Sequence, residues 1–112
     1  GATALIPALV NSGLPSDRFL FEGFLPVKKG RTKRLKEIAE ENRTVIFYES
    51  PHRILKTLND LSTYYNDDSS VSISRELTKI HEENFRGKIK DAIEYFKKKK
   101  PKGEFVIVLS PN

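Results

Sequence analysis

The spacing of apolar positions changes several times along the chain, and each change marks an element. Thr44–Tyr48 (Thr-Val-Ile-Phe-Tyr) and Phe105–Leu109, the latter within a strand over Glu104–Leu109, are short continuous runs with the pattern of strands buried on both faces, and the first of them is expected to be central. Phe19–Phe24 is rich in aromatics and reads as a strand, with Gly23 and Pro26 marking its exit. Val71–Arg75 alternates as a half-buried strand does, and Glu82–Lys88 is a weaker strand candidate. Between these runs the period lengthens to that of a helix. Leu35, Ile38 and Ala39 share one face of a helix over Lys33–Glu41. Ile54, Leu55, Leu58 and Leu61 share a face of a second, which Ser50 caps and Pro51 opens. Ile89, Ala92, Ile93 and Phe96 line a third, stopped by Pro101-Lys102-Gly103. Near the start, Thr3 caps a helix over Ala4–Asn11 that tolerates Pro7 near its first turn and ends at Gly13. That helix is apolar nearly all round, so it is expected to pack against sequence absent from this chain. Alternating helices and strands predict an α/β layered domain with a mixed β-sheet flanked by helices.

Composition narrows the classes. A chain of 112 residues, 38% of them hydrophobic, builds one modest core over residues 1–112 and excludes a two-domain enzyme. There are no cysteines and only two histidines, well apart, so neither disulfides, a thiolate metal site nor a zinc centre is expected. This favours a cytoplasmic setting. The longest apolar runs fall far short of the ~20 residues that span a bilayer, and no basic start of a signal peptide is present. There is no methionine either, so the chain reads as a piece of a longer protein, with Gly1 at a junction or cut site.

The net charge of +5 is unevenly spread. Residues 26–43 carry seven Lys/Arg against three Glu, and residues 86–102 carry eight against two acids. Such clustering suggests an anionic partner, nucleic acid first, because counterion release from phosphates favours clustered cations. Lys97–Lys100 has a simpler reading as the end of a helix, where cations complement the negative end of the dipole. Lys28-Lys29-Gly30-Arg31-Thr32-Lys33-Arg34 lies between a strand and a helix and contains no acid, so it is either an anion-binding loop or a solvated surface.

No Gly-rich phosphate loop follows any strand, which removes support for Walker and Rossmann nucleotide enzymes. Polar residues gather instead beside the two buried runs: Glu49, Ser50, His52 and Arg53 after the first, Gly103 and Glu104 before the second. Ligand crevices of open α/β sheets lie outside strand C-terminal ends, which favours Tyr48-Glu49-Ser50-Pro51. Ser50-Pro51 is equally a sufficient helix start, and Arg53 could simply pair with Glu49. Ser74-Arg75-Glu76-Leu77-Thr78-Lys79 is a surface ion-pair patch or a site, and His81 beside Glu82-Glu83 is an acid/base pair or a solvated histidine. No nucleophile is identifiable.

Several words of the sequence are specific. Ser12-Gly13-Leu14-Pro15, Phe21-Glu22-Gly23-Phe24-Leu25-Pro26, Phe47-Tyr48-Glu49-Ser50-Pro51-His52-Arg53, and Arg75-Glu76-Leu77-Thr78-Lys79 with His81-Glu82-Glu83 occur in that order. Together they closely resemble the bacterial small-subunit ribosomal RNA methyltransferase I family, a branch of the tetrapyrrole methylase superfamily. The resemblance covers essentially the whole chain. It implies S-adenosyl-L-methionine as cofactor, methylation of a cytidine ribose 2′-hydroxyl, ribosomal RNA or the small ribosomal subunit as partner, and a homodimer. It further implies that residues 1–112 are the C-terminal half of a tetrapyrrole-methylase-like two-domain body whose N-terminal domain is absent, so that the fragment alone is inactive. In the superfamily the cofactor lies between domains, and a Pro-Gly-x-Ser-Ala segment touches it. Gly1-Ala2-Thr3-Ala4 matches that segment with Thr3 in place of Ser, so the resemblance implies cofactor contacts at Thr3 and Ala4, at Tyr48 or Glu49, at Ser74, and at Gly103 or Glu104. Lys28, Lys29, Arg31, Lys33 and Arg34 form the RNA-facing surface by charge. Two other readings remain: a corrin or porphyrin methyltransferase domain, or a basic RNA-binding module without catalysis.

Overall fold

The computed structural model describes residues 2–75 and 83–112. In chain order the elements are α1 (Ala2–Ser12), β1 (Phe19–Phe24), α2 (Arg31–Ala39), β2 (Thr44–Glu49), α3 (Ile54–Tyr64), β3 (Ser70–Arg75), β4 (Glu83–Lys88), α4 (Ile89–Lys97) and β5 (Phe105–Leu109). The strands form one sheet in the order β1-β2-β5-β3-β4. β1 and β2 run parallel, and the other neighbours are antiparallel. The expected mixed sheet is therefore present. β2 lies inside it, but the middle place belongs to β5, whose five residues are all buried.

Helices cover the two faces unequally. Leu35 and Ile38 of α2, Ile54, Leu58 and Leu61 of α3, and Ile89, Ala92 and Phe96 of α4 pack with Val45, Phe47, Val71, Ile73, Phe105, Ile107 and Leu109 of the strands. This is the main core, and it takes alternate residues of the strands, as the two-residue period of a strand requires. On the other face α1 is the one helix that contributes among the described residues, through Ala8 and Leu9 against Ile46, Val106 and Val108. Ile6 and Val10 of the same helix remain 53% and 67% exposed, as its all-round apolar pattern foretold.

Local starts and stops differ from the expected ones in several places, and α2 ends at Ala39 rather than Glu41. α1 begins at Ala2, so Thr3 lies inside it and Pro7 stands mid-helix, where its missing N–H removes one rung. Its end is as expected. Ser12 Oγ donates to the Leu9 carbonyl at 2.6 Å and accepts from Leu14 N–H at 3.0 Å, and Gly13 takes φ +71°, which admits the turn without a Cβ. α2 opens two residues early, at Arg31. α3 does not open at Ser50-Pro51: residues 51–53 form a turn closed by Arg53 N–H to the Ser50 carbonyl at 3.1 Å, and no side chain caps the helix at Ile54. α4 stops at Lys97, before Pro101 is reached. The Glu76–Glu82 segment, with most of the Arg-Glu-Leu-Thr-Lys word and His81, lies outside the described residues, so β4 is seen from Glu83.

Candidate functional site

Strand directions gather the expected positions along one margin of the sheet. β1, β2 and β3 run the same way, and β4 and β5 run against them. The C-terminal ends of the first three and the beginnings of the other two therefore share one edge. Tyr48, Glu49 and Ser74 reach it from the strand ends, and Gly103 and Glu104 reach it from the segment leading into β5. Register makes this sharper. Phe24 pairs with Tyr48, Tyr48 with Val106, Val106 with Ser74, and Ser74 with Asn84, one row across all five strands. The row lies on the α1 face.

Within that row the chemistry is graded. Phe24 is exposed, its ring centroid 5.5 Å from that of Tyr48, and Phe21 meets the Tyr48 ring edge-on at 5.3 Å. Val106 supplies a buried apolar floor. Half-buried Ser74, with buried Ser72 one step further along β3, donates to Asn84 Oδ1 at 3.4 Å. Gly103, at φ +76°, turns the chain into β5, and Arg75 holds the preceding Lys102 carbonyl at 3.2 Å. An aromatic wall, an apolar floor and small hydroxyls beside α1 suit a ligand with a flat ring and polar ends. Thr3 and Ala4 lie in the first turn of α1.

Glu49 does not share this surface. It alternates with Tyr48 and pairs with Phe105, so it faces the three-helix side, where it is 5% exposed. There it accepts hydrogen bonds from the Thr57 hydroxyl and from Ser50 N–H, the latter at 2.8 Å. Thr57 in turn accepts from Arg31 at 2.9 Å, and Arg31 also donates to Asp60 at 3.0 Å and to the Pro26 carbonyl at 2.8 Å. One connected network thus ties the end of β1 to α2, α3 and the end of β2. Two expectations change as a result. The Glu49 carboxylate is withdrawn from the row that Tyr48 and Ser74 share, and Arg31, 7% exposed with its donors taken up internally, is not part of an exposed basic surface. Arg53 does not pair with Glu49, whose oxygens are already engaged, and one of its terminal nitrogens is buried without a hydrogen-bond partner among the described residues.

The remaining basic residues divide. Arg34 binds Glu22 at 2.6 Å and lies 3.7 Å from Glu37, which fastens α2 to the bulge between Phe21 and Gly23 in β1. Lys28, Lys29 and Lys33 are exposed and form no ion pair among the described residues. They follow the end of β1, at the margin that carries Tyr48. An open depression of about 550 Å³ lies at the opposite margin, lined by Pro15, Asp17, Arg18, Arg43, Thr44 and Pro111, and holds none of the expected residues. Among the described residues no three His, Asp or Glu gather as metal ligands, and no helix is long and apolar enough to cross a membrane.

With these features in place, comparison with known proteins is informative. Residues 1–93 match the model of the Tetrapyrrole (Corrin/Porphyrin) Methylases, and the chain belongs to that family. Among curated proteins it is similar to the ribosomal RNA small subunit methyltransferase I of Synechocystis sp., 52% identical over 98% of this chain and 40% of that protein. The protein of the same name from Thermotoga maritima is 50% identical over 98% of this chain and 49% of its own length. The chain thus spans less than half the length of these relatives. In structure it resembles a cobalt precorrin-4 methyltransferase, with TM-score 0.71 and 13% identity over 96% of this chain and 48% of that one. It also resembles a uroporphyrin-III C-methyltransferase from Thermus thermophilus complexed with S-adenosyl homocysteine, with TM-score 0.60 and 15% identity over 91% and 48% of the two chains. At such identities the likeness is one of fold.

Proposed function

We propose that this chain is the C-terminal, cofactor-binding half of an S-adenosyl-L-methionine-dependent methyltransferase that acts on small-subunit ribosomal RNA, at a cytidine ribose 2′-hydroxyl. The observation that carries it is the cross-strand row Tyr48–Val106–Ser74 at the strand-end margin, in a chain about 50% identical to proteins named ribosomal RNA small subunit methyltransferase I. Tyr48 and Val106 offer an aromatic wall and an apolar floor to the adenosine part, and Ser74 leaves room while presenting a hydroxyl. Gly103 and Glu104 border the same space from the β5 side, and Thr3 and Ala4 contribute from α1. The bound cofactor supplies an activated methyl group on a sulfonium.

What these residues do is hold and exclude. Transfer to a ribose hydroxyl depends chiefly on alignment of donor and acceptor, which can supply about 7–11 kcal/mol of the barrier. One sheet face with a single helix forms half of such a cleft, and the exposed side of α1, through Ile6 and Val10, is where the other half of the protein closes it. Lys28, Lys29 and Lys33 face the RNA phosphates, with Arg34 at their border. The intact protein acts in the cytoplasm as a homodimer. Titration of the intact protein with S-adenosylmethionine, followed by mapping of methylated riboses in small-subunit RNA, tests the reading. Saturable cofactor binding with methyl label on one cytidine is expected, and label on a corrin or on no RNA overturns it.

A further inference from the structure

Of the second basic run, Lys97 stands in the last turn of α4 and Lys98 at its C-cap, as the helix-end reading gave, and the rest lies beyond the helix. α4 ends at Lys97, and residues 98–104 carry the chain from that helix to the start of β5, the same margin at which Tyr48 and Ser74 end their strands. The segment is fixed there by Arg75, at the end of β3, whose guanidinium holds the Lys102 carbonyl at 3.2 Å. Lys97 pairs with Glu94 at 3.0 Å and Lys99 lies 4.4 Å above the Tyr95 ring. Lys98, Lys100 and Lys102 are exposed and make no ion pair among the described residues. On the other side of Tyr48, Lys28 and Lys29 follow the end of β1 with the same lack of partners. Two runs about 70 residues apart in sequence therefore reach the margin at β1 and β5, the two strands that neighbour β2 and its Tyr48.

We infer that Lys98, Lys100 and Lys102 form a second phosphate-binding arm, so that single-stranded RNA crosses the sheet margin over Tyr48, held by one basic segment at the end of β1 and the other at the start of β5. The inference rests on the proposed RNA substrate and adds its path. β1 and β5 are two strand spacings apart, about 10 Å at ~4.8 Å each. Partnerless lysines on both sides of Tyr48 give counterion-release affinity without base readout. They position the strand, and the margin between them then meets a ribose. Lys88 and Lys90, which pair with Asp68 at the far margin of β4, are equally cationic but outside this path.

That contrast supplies the control. In the intact protein, Lys100→Gln/Lys102→Gln should weaken binding of a small-subunit RNA fragment and lower the log–log salt slope by about 1.4, at ~0.7 per lost single-strand contact. Affinity for S-adenosylmethionine should be unchanged. Lys88→Gln/Lys90→Gln, with the same loss of charge, should leave the slope at its wild-type value. Equal slopes for the two double variants, or a matching fall in both, overturn the second arm. Because the slope is read from RNA binding, it is separate from the failure of the methyl-transfer reading, which would appear as wild-type protein that binds RNA but transfers no methyl group. Melting curves of both variants ensure that a lost fold is not read as a lost contact.

Discussion

Tyr48 and Ser74 pair in register with the same residue, Val106, from its two sides. They come from strands that are not neighbours in the sheet, and only the insertion of β5 between them makes a single surface of the two. A bulky side chain at either end of this row changes the ligand space without entering the main core, which lies on the other face.

Ser74→Phe in the intact protein should therefore abolish cofactor binding while RNA binding persists. Calorimetry with S-adenosylmethionine and a gel-shift with RNA read the two separately. Overpacking can itself destabilise by about 1–3 kcal/mol, so a thermal melt accompanies them. A folded variant with normal cofactor affinity would remove Ser74 from the site.

The Glu49–Thr57–Arg31 network predicts a stability effect with no loss of RNA contact. Thr57 is fully buried, and Thr57→Val leaves a carboxylate and a guanidinium each short of a partner, at about 1–3 kcal/mol. Ser62→Ala, which removes one exposed hydrogen bond on α3, should change stability by less than ~0.5 kcal/mol. Urea denaturation distinguishes them. Near-equal midpoints would mean that the network is relieved by solvent.

Arg31 and Lys28 stand three residues apart but should behave oppositely. Arg31→Gln is expected to lower the melting temperature and leave the salt dependence of RNA binding intact, since its donors are spent on Asp60, Thr57 and Pro26. Lys28→Gln/Lys29→Gln is expected to leave melting unchanged and to lower the log–log salt slope by about 1.4–1.8. The same two measurements on both variants check this, and an exchange of the two behaviours would reverse the assignment.

Tyr65 sets an alkaline limit. Burial, and then the nearby Glu41 charge, push its hydroxyl above the ordinary value of 10.0, and that hydroxyl donates to the Ile38 carbonyl at 2.9 Å. The neutral phenol is favoured in the folded state, so the contribution is complete below pH 10 and is lost as pH rises through the folded value. Stability should fall with pH above about 10, in denaturant titrations, and the fall should be shallower in Tyr65→Phe. That variant should also lose about 0.5–1.5 kcal/mol at neutral pH, the usual worth of one hydrogen bond.

Local pattern revealed most elements and none of the order in which they pair. The β-branched and aromatic runs at Thr44–Tyr48 and Phe105–Leu109 announce buried strands because burial on both faces admits no polar alternation. That the last of them sits in the middle depends on long-range pairing, which a residue's neighbours in sequence do not encode. The separation of Tyr48 from Glu49 was available from the two-residue period of a strand, since adjacent side chains point to opposite faces. Arg31 was harder. A basic residue in a basic loop gives no local sign that Thr57 and Asp60, a turn apart on α3, will draw it inside. Similarly, Lys97–Lys100 reads as a solvated helix end, and strand direction adds where the segment after it leads.

The position of β5 also bears on how such a chain is made. Phe105–Leu109 is synthesised after every other strand described here, yet it joins β1-β2 to β3-β4, and neither pair touches the other through backbone hydrogen bonds without it. Until those five residues leave the ribosome, two hairpin-sized fragments wait with unpaired edges, each a template for wrong pairing. Folding of this chain is thus expected to be nearly all-or-none and late, and a stop codon before Phe105 should yield insoluble protein rather than a shortened domain.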